Sequence, residues 1–172
     1  FTFDSSSGLS YQPYYKFASS SITITPSGTS GSGITLTASA SAFVSAHNGT
    51  YLRLVDDAGT VRHAEITGYT SATVVTATLS GAIANTNAIT DWSEQVFSAT
   101  RGYARTVTFH DQRLIFGGSR DLPNFIFMSK SGVFTNFDVG TGLDDESIQV
   151  QIAENQVSEI KALTSLKHLT IF

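Results

Sequence analysis

Hydrophobic and β-branched residues alternate with Ser and Thr along the first part of the chain. Ile22 and Ile24 recur at a spacing of two. Ile34 and Leu36 repeat this pattern, which is typical of a strand with one buried face. The Gly- and Ser-rich stretch 26–33 then predicts the loop between two strands. A disordered linker is the alternative for so Ser-rich a segment, but the alternation favours strands.

The next stretch predicts a hairpin followed by a further strand. Asp57-Ala58-Gly59 is a short connection between two alternating runs, of the kind that joins hairpin strands. The two runs place small and aliphatic residues on one face: Leu52, Leu54, Ala64, Ile66 and Gly68. The opposite face of the second run carries His63, Glu65 and Thr67. After a turn at Thr70-Ser71, ATVVTATL predicts another strand, and SGAIANTNAITDW a loop. We therefore expect residues 20–95 to form a small β-barrel or sandwich domain.

From Phe97 onward the chain is richer in aromatic residues and the pattern becomes one of successive hairpins. RTVTFHDQRLIFGGS predicts two strands joined by a turn that contains Asp111 and Gln112. NFIFMSKSGVFTNFD predicts a second hairpin with its turn at 130–132. SIQVQI predicts a strand, and VSEIKALTSLKHLTIF a hairpin with a turn near 165–167. AENQVSEIKAL has some helical spacing, but its Val and Ile favour strand. The predicted fold class is all-β.

Composition limits the classes of function. Ten basic and fourteen acidic side chains leave a net charge of −4, and no basic run indicates direct binding of nucleic acid. Cys is absent, which excludes thiolate zinc sites and cysteine nucleophiles. No apolar run approaches the roughly 20 residues that a membrane-spanning helix needs, and no signal peptide opens the sequence.

The stretch TFHDQRLIFGGS brings His110, Asp111 and Ser119 close together in sequence. A Ser–His–Asp site needs the carboxylate to orient the imidazole and the imidazole to reach the serine. Neighbouring residues of a strand point to opposite faces, so His110 and Asp111 are poorly placed for this. Ser119 also lacks the strand-to-helix elbow of hydrolase serines. We interpret the stretch as a hairpin.

Other polar clusters have similarly simple interpretations. Asp144, Asp145 and Glu146 are candidates for glycoside hydrolysis or calcium binding, but their spacing fits no calcium loop, and a solvated turn before Ile148 explains them. The four histidines have no metal-ligand spacing; they are His47, His63, His110 and His168. We therefore predict no catalytic residue, no cofactor and no metal, and the chain is not expected to be an enzyme.

The arginines after position 100 could meet phosphates, or they could pair with nearby carboxylates at the rim of a sheet. The arginines are Arg101, Arg105, Arg113 and Arg120, and the carboxylates are those of Asp111, Asp121 and Asp138. We favour pairing. Gly117 and Gly118 lack the Gly-Lys-Ser/Thr ending of a phosphate loop, and they predict a positive φ or a close backbone approach at the end of a strand.

The segment DWSEQVFSATRGYARTVTFHDQRLIFGGSRDLPNFIFMSKSGVFTNFD resembles the central part of the tail tubular or nozzle proteins of short-tailed bacteriophages and their prophage relatives. The family pattern is a Trp, then Gly-Tyr-Pro-Arg, then Phe-His-x-x-Arg-Leu-x-Phe-Gly-Gly-Ser, followed by a Pro, a Ser and Gly-x-Phe-x-x-Phe. The matching positions are Trp92, Gly102, Tyr103, Arg105, Phe109, His110, Arg113, Leu114, Phe116, Gly117, Gly118, Ser119, Pro123, Ser129, Gly132, Phe134 and Phe137. Ala104 stands where the family has Pro.

This resemblance implies a structural protein of the virion, part of the nozzle or hub through which DNA is ejected, made in the host cytoplasm and assembled as a homo-oligomeric ring with other tail proteins. It implies that residues 96–172 are propeller-blade-like hairpins, too few for a closed propeller, after a lead-in at 1–19 and the β domain at 20–95. The chain is expected to be a piece of a longer protein. The alternatives are a carbohydrate-binding module that uses exposed aromatic residues and a tail-associated glycan hydrolase that uses Asp144, Asp145 or Glu146.

Overall fold

The computed structural model describes residues 12–140, 142–152 and 159–172. The predicted all-β fold class is confirmed, because these residues form antiparallel sheets and, besides strands, one short 3-10 helix at Ser45–His47. The chain divides into two compact units between Gln95 and Val96. The first unit is Tyr14–Gln95, and the second comprises Val96–Phe172 together with Gln12 and Pro13. Among the described residues no helix is long and apolar enough to cross a membrane.

The first unit is one seven-stranded antiparallel sheet with the order β1-β7-β4-β5-β6-β3-β2. Its strands are β1 (Tyr14–Tyr15), β2 (Ile24–Pro26), β3 (Ile34–Ala38), β4 (Tyr51–Val55), β5 (Val61–Ser71), β6 (Val74–Leu79) and β7 (Trp92–Gln95). The sheet is not closed, although a bridge between Ile24 and Ile89 links β2 to the segment before β7. β1 lies inside the segment that we expected to be a lead-in.

The core of the first unit follows the predicted alternation. Leu52 and Leu54 on β4 are fully buried, and so are Ala64 and Ile66 on β5. Two details differ from the prediction. His63 was placed on the outer face but is buried, because Tyr14 packs against its ring with centroids 5.3 Å apart. β5 also continues through Thr70-Ser71, since two bulges let it pair with β6 as far as Ser71.

The second unit contains a four-stranded antiparallel sheet in which neighbours in sequence are neighbours in space. Its strands are β8 (Thr106–His110), β9 (Arg113–Gly117), β10 (Phe125–Met128) and β11 (Ile148–Gln151). A separate hairpin is formed by β12 (Leu163–Ser165) and β13 (Leu169–Ile171), with its turn near the predicted position. Asp111 and Gln112 connect β8 to β9 with φ of 46° and 58°, the signature of a type I′ hairpin turn.

Both faces of this sheet are packed at its centre, and all five residues of β9 are buried. On one face, the ring of Phe97 contacts those of Phe116 and Phe127 at 5.3 and 5.5 Å between centroids. On the other face lies an aliphatic cluster of buried side chains: Ile115, Ile126, Ile160 and Leu163. The sheet therefore separates an aromatic layer from an aliphatic one.

The predicted hairpin over NFIFMSKSGVFTNFD is wrong beyond its first strand. β10 pairs with β9 and β11, and the segment after it makes only a bridge between Lys130 and Val133. Tight turns form there instead, closed by the Lys130 amide donating to the Asn136 carbonyl at 2.7 Å. They bring the Phe137 ring to 5.4 Å from Phe116. The segment AENQVSEIKAL, which has some helical spacing, spans residues 153–163. Its first six residues, 153–158, lie outside the described residues.

Candidate functional site

The structure does not bring His110 and Ser119 together. Ser119 is fully buried, and its Oγ accepts a hydrogen bond from the Leu122 amide at 3.1 Å within a turn. His110 instead contacts Ser165, with 3.0 Å between Nδ1 and Oγ. Its Nε2 lies 3.3 Å from Oδ2 of Asp111, because the positive φ of the turn swings that carboxylate back towards the strand. Our expectation that His110 and Asp111 would point apart is therefore wrong.

The trio of Ser165, His110 and Asp111 is better suited to holding two hairpins together than to nucleophilic catalysis. In serine hydrolases the carboxylate is buried and holds the imidazole in one tautomer and orientation. The Asp111 side chain is 84% exposed, so water competes for it and weakens that control. The contact ties the β8–β9 turn to the end of β12. Sequence reasoning missed Ser165 because it lies 55 positions from His110.

Arg113 is buried, and its hydrogen-bond partners are backbone carbonyls, so the predicted pairing with a carboxylate at the rim of a sheet is wrong for this residue. Its Nη1 donates to the carbonyls of Ser129 and Glu146 at 2.6 and 2.5 Å, and its Nη2 donates to that of Asp144 at 2.5 Å. Ser129, itself fully buried, accepts the Leu114 amide at 2.9 Å through its Oγ. Arg113 and Ser129 thus join β9 to the loop before β11.

Gly117 and Gly118 occupy a close backbone approach, as their sequence context indicated. A Cβ on Gly117 would lie 2.8 Å from Leu163 Cδ1 and 3.1 Å from Ile160 Cγ2. Gly118 has a φ of 58°, and a Cβ there would lie 3.1 Å from the Ile160 carbonyl oxygen. The segment before β12 therefore crosses the end of β9 at a distance that only glycine allows.

The acidic cluster is a turn before β11. Oε2 of Glu146 accepts hydrogen bonds from the amides of Gly142 and Leu143 at 2.6 and 3.0 Å, and its Oε1 lies 3.7 Å from Lys130 Nζ. Asp144 and Asp145 are exposed. Within the described ranges no group of three or more His, Asp or Glu side chains could hold a metal ion. The carboxylate of Glu146 is thus engaged in organising the loop.

The remaining arginines pair with carboxylates, though only partly as predicted. Arg101 and Arg120 both contact Asp121, at 3.5 and 2.7 Å. The hydrogen bond from Arg120, and then its charge and that of Arg101, lower the pKa of Asp121 despite partial burial. Arg105 pairs with Glu159 instead of one of the predicted aspartates. The Asp138 carboxylate accepts the Gly140 amide at 3.3 Å.

A buried contact between His47 and Glu94 in the first unit was not anticipated from the sequence. Nε2 of His47 lies 2.8 Å from Oε2 of Glu94, and both side chains are 3% exposed. The Val44 amide donates to Nδ1 of His47 at 2.9 Å, so Nδ1 carries no proton and Nε2 is the donor to Glu94. The two residues are 47 positions apart, a separation at which no local pattern signals a contact.

The aromatic residues divide into buried and exposed groups. Trp92 is fully buried and its Nε1 donates to the Ile22 carbonyl at 2.7 Å, so it offers no face to a sugar ring. Four apolar side chains lie exposed beside the β8–β9 turn: Val107, Phe109, Val133 and Phe134. The rings of Phe109 and Phe134 meet edge to face, 5.2 Å apart. We call these four residues the β8 surface, and it is the best-defined candidate binding surface of the second unit.

Comparison with known proteins adds no relative: no protein-family model matches the chain, and no curated protein matches it.

Proposed function

We propose that the chain is a structural component of a bacteriophage tail, part of the nozzle or hub that conducts DNA during ejection. The proposal rests on the resemblance described above and on the roles of the residues that carry it. It places the protein in the virion after synthesis in the host cytoplasm, with other copies of itself and other tail proteins as partners. DNA in transit would pass it without sequence-specific contact.

The observation that carries the proposal is the structural role of the motif residues. Arg113 and Ser129 hold the loop before β11, Ser119 closes a turn, and Gly118 permits the crossing of the next segment. None of these polar groups is turned towards solvent, since Arg113, Ser119 and Ser129 are all at least nine-tenths buried. A motif of this kind preserves a scaffold, which is what an assembly part requires.

The sheet topology is compatible with the blade-like repeat that the proposal includes. A propeller blade is a four-stranded antiparallel sheet, and β8 to β11 form such a sheet with neighbours joined in sequence order. Blades bury apolar side chains on both faces against their neighbours. The aromatic and aliphatic layers on the two faces of this sheet are of that kind.

The proposal is tested by the genes that flank this one and by the location of the protein. We expect portal, adaptor or tail-fibre genes beside it, and antibodies raised against the chain should label the tail end of purified virions. Flanking metabolic genes together with unlabelled virions would refute the proposal. Incubation with host surface polysaccharides separates the alternatives: binding without turnover indicates a carbohydrate-binding module, and released oligosaccharides indicate a glycan hydrolase.

A further inference from the structure

The β8 edge of the four-stranded sheet combines apolar side chains with an unpaired strand. Within the described part of the chain, β9 is the strand that pairs with β8, and no strand pairs with the opposite side of β8. β12 contacts β8 through the side chains of Thr106 and His110, which lie on the face opposite to that of Val107 and Phe109. Val107 and Phe109 on this edge are 56% and 59% exposed. Proteins usually protect such an edge with Lys, Pro or a bulge, and the strand TVTFH contains neither Lys nor Pro. An edge of this composition favours the addition of another strand.

The backbone of the same two residues points away from β9. A two-residue type I′ turn makes the flanking residues, His110 and Arg113, a hydrogen-bonded pair. Because such pairs alternate along antiparallel strands, Thr106 and Thr108 direct their backbone groups towards β9. The amides and carbonyls of Val107 and Phe109 are therefore directed outward. An incoming strand would find hydrogen-bonding groups and exposed apolar side chains at the same positions.

We propose that the strand that adds to this edge is β8 of a second copy of the chain. The two strands would run antiparallel about a twofold axis at Thr108, with Thr108 opposite its own equivalent. In this register Val107 lies opposite Phe109 of the second copy, and the reverse pair repeats the contact. An axis perpendicular to the sheet keeps each face on its own side. The β8 surfaces of the two copies would then join into one apolar surface.

Charge complementarity supports the same register. The residues that flank β8 are Arg105 and Asp111, whose side chains are 43% and 84% exposed. In the proposed register Arg105 of each copy lies across from Asp111 of the other. Each already has a partner within its own chain, Glu159 for Arg105 and His110 for Asp111. The added pairs are attractive, and a slip by one pair of residues in either direction would lose them.

The other free edge of the sheet is a poorer partner for β8. The register places Val107 beside Phe116, Phe116 beside Phe127, and Phe127 beside Gln149, so these four share one face. If β11 of another copy added to β8 and continued the sheet, Gln149 would lie next to Val107 and Phe109. Pairing of β8 with itself matches apolar with apolar across the new contact. The proposed dimer does not depend on the function proposed above.

Cysteine substitutions test the register directly, because the natural chain contains no Cys. Residues directly opposite in an antiparallel pair have Cα atoms about 4.5–5.5 Å apart, within reach of a disulfide. We expect Thr108→Cys to form a covalent dimer on mild oxidation. Val107→Cys mixed with Phe109→Cys should form a heterodimer faster than either forms a homodimer. Thr67→Cys, at an exposed position of β5 in the first unit, is the matched control and should form no covalent dimer.

The strength of association is tested with the unmodified chain by sedimentation equilibrium. Because five-residue strands and the β8 surface bury less than a standard interface, we expect a dissociation constant in the micromolar range, roughly 10–100 μM. Val107→Lys should weaken dimerisation by about tenfold or more, since it places a lysine beside Phe109 of the second copy. Val150→Lys makes the same change at a 42% exposed position of β11 and should leave it unaltered.

The outcomes are decisive in both directions. A strict monomer at millimolar concentration, or equal crosslinking of Thr108→Cys and Thr67→Cys, would overturn the proposal. So would a dimer that Val107→Lys leaves intact, because the contact would then lie elsewhere. Both lysine substitutions are at exposed positions, and an unchanged melting temperature would show that neither acts through unfolding.

Discussion

The two units bury their side chains in different ways although both are antiparallel β structures. In the first unit buried and less buried residues alternate along β4 and β6, as expected when one face of a sheet covers the core. In the second unit β9 is buried at every position, and the edge strand β8 exposes Val107 and Phe109 while its Thr and His side chains are half-buried. The first unit buries most of its large apolar side chains, although Val44, Val61 and Tyr69 are exposed. The second presents more of them at its surface, Val107 and Phe109 included.

The units also differ in how they use buried charge. The first unit pairs two ionisable groups, His47 and Glu94, within its core. The second buries Arg113 among backbone carbonyls of two segments, Ser129 just after β10 and Asp144 and Glu146 in the loop before β11. A buried pair is local to two side chains, whereas the guanidinium of Arg113 holds two segments of backbone in place at once. Substitutions at these sites should therefore affect the two units separately and to different extents.

The largest expected effect is that of Arg113→Ala on the second unit. The substitution leaves the carbonyls of Ser129, Asp144 and Glu146 without their donor, so we expect a loss of about 3 kcal/mol in the free energy of unfolding. Hydrogen exchange of the β9 amides measures the stability of this unit. The fluorescence of Trp92, the only Trp, reports on the first unit and should show an unchanged transition.

Arg53→Ala is the control for this prediction. Arg53 lies 3.8 Å from Asp91, whose side chain is 69% exposed, so its loss should cost less than about 1 kcal/mol. If Arg113→Ala and Arg53→Ala proved equally mild, the carbonyl contacts of Arg113 would not stabilise the second unit. The contrast in buried charge between the units would then be refuted.

The next effect in size is that of Glu94→Leu on the first unit. It leaves the Nε2 proton of His47 buried without the carboxylate that now accepts it, and we expect a loss of about 2 kcal/mol. Glu94→Gln keeps an acceptor oxygen and should cost roughly half as much. The fluorescence transition of Trp92 measures both. A larger effect of Gln than of Leu would mean that packing, and not the hydrogen bond to His47, determines the stability here.

The contrast between the units also explains what the sequence could predict. Period-two alternation predicted the core of the first unit, because there a single buried face decides which residues are apolar. The hairpin turn at Asp111-Gln112 and the tight approach at Gly117-Gly118 were predictable from turn chemistry and from the properties of glycine. The partners of Arg113 were not, because they are backbone carbonyls, which every residue carries and no pattern distinguishes.

The predictions that proved wrong have the same physical origin. The segment after Met128 resembles a strand because its Phe residues are apolar, but tight turns direct Phe137 onto the aromatic layer. His63 alternates like an outer residue, but Tyr14 on β1, far away in sequence, packs against its ring. The contact of His110 with Ser165 likewise depends on a hairpin 55 positions later. Long-range packing decides the surroundings of these residues, and a local sequence pattern carries no information about it.

A smaller difference is expected between two glycine substitutions. Gly117→Ala places a Cβ 2.8 Å from Leu163 Cδ1 and 3.0 Å from Thr106 Cγ2, so the second unit should lose about 1–2 kcal/mol. In Gly68→Ala the nearest atom is Thr76 Cβ at 3.6 Å, an ordinary contact. We expect Gly68→Ala to change the stability of the first unit by less than about 0.5 kcal/mol, as judged by chemical denaturation. Equal effects would show that the crossing at Gly117 adapts easily.

The smallest expected effect separates two aspartates by their response to acid and salt. In the first unit Asp56 accepts the amides of Ala84, Thr60 and Ala58 at 2.7, 2.8 and 3.0 Å. These backbone hydrogen bonds, the one from Ala84 first, lower the pKa of Asp56. Asp121 in the second unit also has a lowered pKa, but its partners are the guanidinium groups of Arg120 and Arg101. One carboxylate is thus held by neutral dipoles and the other by charges.

Because both pKa values are lower in the folded protein, the stabilisation is complete above the ordinary carboxyl pKa of 3.8 and is lost as the pH falls below it. The melting temperature of the natural chain should therefore fall more steeply below pH 4 than that of Asp56→Asn or Asp121→Asn.

Salt at about 1 M shortens the screening length to roughly 3 Å. It should weaken the contribution of Asp121 and leave that of Asp56 nearly unchanged, because amide donors carry no net charge. We would measure this by comparing each variant with the natural chain in low and high salt, following Trp92 fluorescence for Asp56 and β9 amide exchange for Asp121. Equal salt sensitivity of the two sites would mean that Arg120 and Arg101 hold Asp121 mainly by hydrogen-bond geometry rather than by charge.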